Sequence, residues 1–186
     1  IWNNRVAALG GSARSTPGLS LGAAIAVTDA TIYGQRPMIG AFDFLQRART
    51  CCDSGRPLQD VVAHELKTHR TIPGYGRPLR SVDERLAPAE RLACRLGLWG
   101  GPFTMLALEI QKILREKRMG MNVAALAAAL YADQGLTVSE YQHATLLAFS
   151  AGLLFCVVDA AKHPEGALFP LRCDRLQYSG PAPRVW

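Results

Sequence analysis

The sequence predicts an all-α protein, and three observations carry that expectation. Apolar residues recur at helical spacing: Leu58, Val61, Val62 and Leu66 keep an i, i+3, i+4, i+8 rhythm. Alternating apolar–polar runs, the mark of a half-buried strand, are nearly absent. Helix stop and start signals also fall at workable distances, since Gly135 suits a C-terminal cap and Thr137 with Glu140 forms a capping-box pattern just beyond it. Seven or so helices are expected, with no internal repeat or low-complexity tract.

Taken in order, Ser20 to Ile32 (SLGAAIAVTDATI) reads as a helix of small residues that another helix can approach closely. Phe42, Leu45 and Ala48 share one face of the next helix, which breaks at CCDSGRP, Cys51 to Pro57. The Leu58–Leu66 rhythm gives a third. After the loop from Ile72 to Arg85, Pro88 fits a first helical turn, and Leu92, Ala93 and Leu96 continue an apolar face. Gly100, Gly101 and Pro102 reset the chain. Phe103, Leu106, Ile110, Ile113 and Leu114 mark a helix ending in Arg115 to Arg118 (REKR), basic residues that suit the negative end of the helix dipole. Val123 to Gln134 is an alanine-rich helix. The apolar run Ala144 to Val158, containing Ser150 and Gly152, falls short of the ~20 residues of a membrane span and reads as a buried helix, with no membrane partner expected.

A chain of 186 residues can bury a real core, as one domain or one plus a small lobe. Hydrophobic content of 49% against 19% charged residues excludes a disordered chain. No basic start followed by an apolar run suggests a secretory signal, and the opening at Ile1 rather than Met leads one to expect a preceding segment. The five cysteines (Cys51, Cys52, Cys94, Cys156, Cys173) are odd in number and lack CxxC spacing, so neither a disulfide framework nor a metal site is expected, and the cytoplasm is the expected compartment. Cys94 and Cys156 lie in apolar helical patterns and are expected in the core. The formal charge of +6 comes from arginine far more than lysine, which favours an anionic ligand bearing phosphate or carboxylate. Nucleic acid is not expected, because the arginines are scattered and no basic, aromatic-interleaved stripe appears.

The Ile72–Arg85 loop, IPGYGRPLRSVDER, sets Pro73, Gly74, Gly76 and Pro78 among three arginines and two acids. That is stiffer than a linker and more charged than core. It resembles the signature loop of the citrate synthase superfamily, PG-(F/Y)-GHP followed by a DPR triplet, and most of all the citryl-CoA lyase-like branch, where a proline follows the histidine as Pro78 follows Arg77 here. Other stretches resemble the same family in order. Met121 to Leu136 is similar to its NVD-containing helix, Ser150 to Ala160 (SAGLLFCVVDA) to the next helix, and Leu176 to Arg184 (LQYSGPAPR) to its Y-x-GP-x-x-R ending. Upstream, Leu19 to Leu45 resembles the helix leading into the family's glycine-rich, histidine-containing loop.

The resemblance implies an all-α, two-lobed homodimer with its active site between the lobes, here a single domain with a small lobe at about residues 52–150 and the large lobe from the remainder. It implies acyl-CoA chemistry: a carboxylate takes a proton from the thioester methyl, one histidine donates to the carbonyl oxygen, a second protonates the carbonyl under attack, and arginines hold substrate carboxylates. The family's turn contacts the CoA adenine through backbone groups, which implies Pro73, Gly74, Tyr75 and Gly76 as a CoA-binding turn. Arg77, Arg80 and Arg85 are implied as anion-binding.

The proton-transfer positions depart from the pattern. Arg77 stands where the loop histidine belongs, and a permanently cationic guanidinium cannot shuttle a proton at neutral pH. Ala124 stands where the NVD aspartate belongs, and Tyr33 to Ala41 (YGQRPMIGA) has no histidine. Phe149 and Cys156 occupy positions that align with a substrate-binding arginine and a further histidine. The expected function is therefore a non-catalytic or regulatory relative that binds CoA or a polycarboxylate, as a homodimer or as a heteromer with an active relative. The alternative is an acyl-CoA-dependent lyase or synthase with a reassigned catalytic set, for which His69, Asp83 and Tyr33 are candidates. Asp29 and Asp43 flank the upstream loop as further acids. The plainer reading of the loop is a tight interhelical turn with solvated arginines.

Overall fold

The computed structural model describes residues 2–76, 83–168, 177 and 180. Among these the chain forms eight α-helices and no strand: α1 (Trp2–Ser12), α2 (Pro17–Thr28), α3 (Gln35–Asp53), α4 (Leu58–His69), α5 (Leu86–Arg95), α6 (Pro102–Leu114), α7 (Val123–Asp133) and α8 (Val138–Ala160). The all-α expectation holds. Helix α1 was not anticipated, because Gly10 and Gly11 dilute its pattern. They are there for packing: a Cβ on Gly10 would run into the Ser20 side chain of α2, and one on Gly11 into the Val157 carbonyl of α8. Pro17 starts α2 earlier than the sequence suggested, and Thr28 ends it. The REKR segment forms a 3-10 turn over Arg115–Lys117 instead of extending α6.

Local signals hold where they are strongest. Thr137 accepts from the Glu140 N–H, and the Glu140 carboxylate accepts from the Thr137 N–H at 2.8 Å, completing the capping box that opens α8. Gly135 takes φ +78° after α7, as a C-terminal glycine should. One cap is not local. Asp133, at the end of α7, accepts from the Phe103 N–H at 2.7 Å and the Thr104 N–H at 2.9 Å, so it neutralises the start of α6. Gly101 leaves room for that carboxylate.

Two apolar clusters result. The larger one unites Phe42, Phe44 and Leu45 of α3 with Ile110 and Leu114 of α6, Leu126 of α7 and Tyr141 of α8. Phe42 and Tyr141 stack with ring centroids 4.7 Å apart. The smaller cluster joins Ala7 of α1, Ala24 of α2, and Leu153 and Val157 of α8. Helix α8 therefore serves both.

Three burial expectations are corrected. Cys94 is exposed, as are Leu92 and Leu96, and only Ala93 of that face is buried, because no described element covers α5 there. Helix α8 is 23 residues long and apolar enough to cross a membrane by length and composition, and it is buried on one face only. Tyr141, Thr145, Leu153, Val157 and Ala160 pack inward, while Leu147, Leu154, Phe155 and Val158 face outward.

Candidate functional site

The stretch that resembles a CoA-binding turn is built into the main core. Ile72 and Tyr75 are buried there beside Met121. Gly76 donates its N–H to the Gly120 carbonyl at 2.6 Å, and Asn122 donates its N–H to the Gly74 carbonyl at 2.9 Å, so the turn pairs with the segment leading into α7. Asn122 adds a side-chain bond to the Gly76 carbonyl at 3.1 Å while its Oδ1 caps α7 through the Ala124 N–H. The Tyr75 hydroxyl donates to the Ala107 carbonyl of α6 at 2.9 Å, and burial pushes the phenol well above its ordinary pKa, keeping it a neutral donor. The Gly74 N–H and the Tyr75 carbonyl take no part in these bonds.

Glycine is required at Gly74. Its φ is +88°, and a Cβ there would lie 2.6 Å from the Ala125 Cβ and 2.9 Å from its Cα. Gly76 has φ +90° with open space around it among the described residues. On the other side, a Cβ on Gly40 of α3 would come within 3.1 Å of the Pro73 ring. The first turns of α3, the Pro73–Gly76 turn and the start of α7 thus meet at one place.

Asp83 closes that place. Its side chain has no exposure, whereas that of Arg85 is 56% exposed. Oδ2 accepts from the Val123 N–H at 2.9 Å and from Arg85 Nη2 at 2.8 Å, and Oδ1 accepts from Arg85 Nε at 2.8 Å and from the Arg85 N–H at 3.1 Å. Burial alone would raise the carboxyl's pKa. The hydrogen bonds from the Arg85 side chain, Val123 and the Arg85 backbone outweigh it and hold the group well below the usual carboxylate range. So held, Asp83 is a poor proton acceptor.

The same geometry fixes a pH dependence. With the folded carboxyl titrating below the unfolded one, Asp83 stabilises the fold above the ordinary aspartate range near pH 4, and that contribution fades as pH falls further. The stability gap between wild type and Asp83→Asn, read by urea unfolding, is expected to be constant from about pH 7 to 5 and to narrow below about pH 4. A gap unchanged down to the lowest pH at which the protein folds would count against the assigned bonds.

The remaining candidates are placed differently. His69 is exposed in the last turn of α4, directly before the loop. Tyr33 is 46% exposed with φ +56°, in the turn before α3. Asp29 is in an exposed ion pair with Arg36 at 3.0 Å, and Asp43 pairs with Arg47 at 2.8 Å. Arg47 also grips the buried Glu65 through both oxygens, tying α3 to α4. Ala124 sits partly buried at the start of α7, and Phe149 and Cys156 pack against the smaller cluster. Arg77, Arg80, Cys173, Pro181 and Arg184 lie outside the described residues. Sequence reasoning missed Asn122, although an Asn directly before an alanine-rich helix is a recognisable cap.

No protein-family profile matches the sequence. Solved structures do match in fold. Citryl-CoA lyase from Hydrogenobacter thermophilus superposes with a TM-score of 0.76 at 21% identity, over 98% of this chain and 71% of that one. ATP citrate lyase from Methanothrix soehngenii, solved with citrate and coenzyme A, gives 0.73 at 18% identity over 98% of this chain, which spans 32% of that enzyme. Citrate synthase from Thermotoga maritima gives 0.69 at 14% identity, over all of this chain and half of that one.

Proposed function

We propose that this chain, which has the citrate synthase-type fold, binds coenzyme A, an acyl-CoA or a polycarboxylate without running the usual carbon–carbon bond chemistry. The observation that carries the reading is the bonded unit of turn, helix start and arginine. Pro73–Gly76 is fixed against α7 with Gly74 and Tyr75 buried and Pro73 and Gly76 partly exposed, and Arg85 offers a half-exposed guanidinium beside it. ATP citrate lyase of the same fold holds citrate and coenzyme A. Against catalysis stand Arg77 and Ala124, where the resemblance places a histidine and the proton-abstracting aspartate. Asp83, which could replace that base, is clamped as an anion.

Calorimetry with CoA, acetyl-CoA, citrate and oxaloacetate tests the reading. Binding is expected in roughly the micromolar-to-millimolar range and should weaken with added salt. Arg85→Ala is expected to weaken it by about fivefold or more, whereas Arg5→Ala, outside the loop, should leave it unchanged. Thiol release from acetyl-CoA with oxaloacetate, and oxaloacetate formation from citryl-CoA, should both be absent. Robust turnover would favour the reassigned-set alternative and direct attention to His69.

We further propose a homodimer. Helix α2 exposes Leu19, Ala23, Ala26 and Val27, while Gly18 and Gly22 add small residues that a partner helix can approach. Helix α8 exposes Leu147, Leu154, Phe155 and Val158 at i, i+7, i+8 and i+11. Two such stripes fit a second copy packed helix on helix. Light scattering should report twice the chain mass at micromolar concentration; a partner of different mass recovered instead would indicate a heteromer with an active relative. We also propose a small lobe at about residues 52–150, with the remainder as the large lobe. A cytoplasmic setting is proposed on the odd number and unpaired spacing of the five cysteines in the sequence.

A further inference from the structure

We infer that Asp83 is a positioning residue of the anion site, acting through Arg85, and that the pair selects an oxyanion by fork geometry more than by charge. The inference rests on the binding reading above for its ligand. Its structural basis is separate. A half-exposed arginine is ordinarily a mobile side chain that loses rotamer freedom when it binds. Here the Nε and Nη2 groups are already held at 2.8 Å by the two oxygens of one carboxylate. That carboxylate cannot move either, because Val123 donates to it at 2.9 Å from the first residue of α7.

Two consequences follow for a ligand. Of the five guanidinium donors, two face Asp83 and three remain, two of which, one on each Nη, form the outward edge. A flat pair of oxygens, from a carboxylate or a phosphate, meets that edge through two parallel bonds, which a halide cannot do. The nearby negative charge of Asp83 offsets that of the guanidinium, so the advantage is in direction. Because Asn122 bonds to both Gly74 and Gly76 and starts the helix that anchors Asp83, the outward edge of Arg85 also lies at a fixed span from the turn. A ligand with an oxyanion and a second group at that span meets both at once.

The test is a double-substitution cycle read by calorimetry with citrate and with CoA, keeping chloride as a control. Asp83→Asn is expected to weaken citrate or CoA binding about tenfold in the wild-type background and less than twofold when Arg85 is already alanine. Equal losses in both backgrounds, or none in either, would overturn the inference. Because Asp83→Asn also disturbs α7, Arg85→Lys serves as the second variant. It keeps the charge at a half-exposed position and loses the two-pronged grip. It should bind as weakly as Arg85→Ala, and near wild-type binding would overturn the inference. If the wild-type protein binds none of these ligands, the binding reading fails by itself. The grip is then judged by proton exchange at Arg85 Nε in NMR spectra. Slow exchange lost in Asp83→Asn supports the positioning role, and fast exchange in wild type removes it.

Discussion

Gly74→Ala is expected to destabilise the fold by about 2–5 kcal/mol, measured by urea unfolding. Two costs combine. An L-residue at φ +88° is strained by roughly 1–2 kcal/mol, and forcing a methyl to within 2.6 Å of the Ala125 Cβ adds about 1–3 kcal/mol of overpacking. Gly76→Ala is the matched control, since its φ of +90° imposes the same strain with no described atom in the way. It should cost only about 1–2 kcal/mol. Equal costs at the two positions would mean that the Pro73–Gly76 turn does not press on α7 as described. The contrast bears on function as well, because a turn pushed off α7 would shift the backbone groups proposed to meet the ligand.

Phe155→Asp is expected to change mass, not stability. Phe155 is 76% exposed on the outward face of α8, so a charge there costs a lone chain little. Inside an apolar contact between copies, the same carboxylate would be buried without a partner, at several kcal/mol per site. Sedimentation at about 10 μM should therefore show the dimer falling to monomer, with association weakened by roughly a hundredfold or more. An unchanged dimer, or a wild-type protein that is already monomeric, would remove α8 as the joining surface.

The helices could be read from the chain wherever the deciding residues are neighbours. Thr137 and Glu140 lie within one turn of each other, and Leu58 to Leu66 describe a single face, so periodicity and capping suffice. What a residue meets across the fold could not be read this way. Asp83 finds its partner Val123 forty positions away, and Asp133 finds Phe103 thirty positions back. Apolar content misled at α8 and at Cys94 for a related reason. It reports that a surface favours leaving water, and it is silent on whether this chain or another supplies the cover. The Pro73–Gly76 turn was legible as a turn because two glycines and a proline allow little else. Its attachment to α7 through Asn122 appears only in three dimensions.

The sharing of α8 governs how the molecule comes apart. At 23 residues it is a rod of about 35 Å whose first half carries Tyr141 in the larger cluster and whose second half carries Leu153 and Val157 in the smaller. Melting the α1–α2 end would strip the second half of α8 and fray the helix back toward the stacked Phe42–Tyr141 rings. Heat should therefore act on both clusters in one cooperative step, and damage at either end of the rod would be felt at the other.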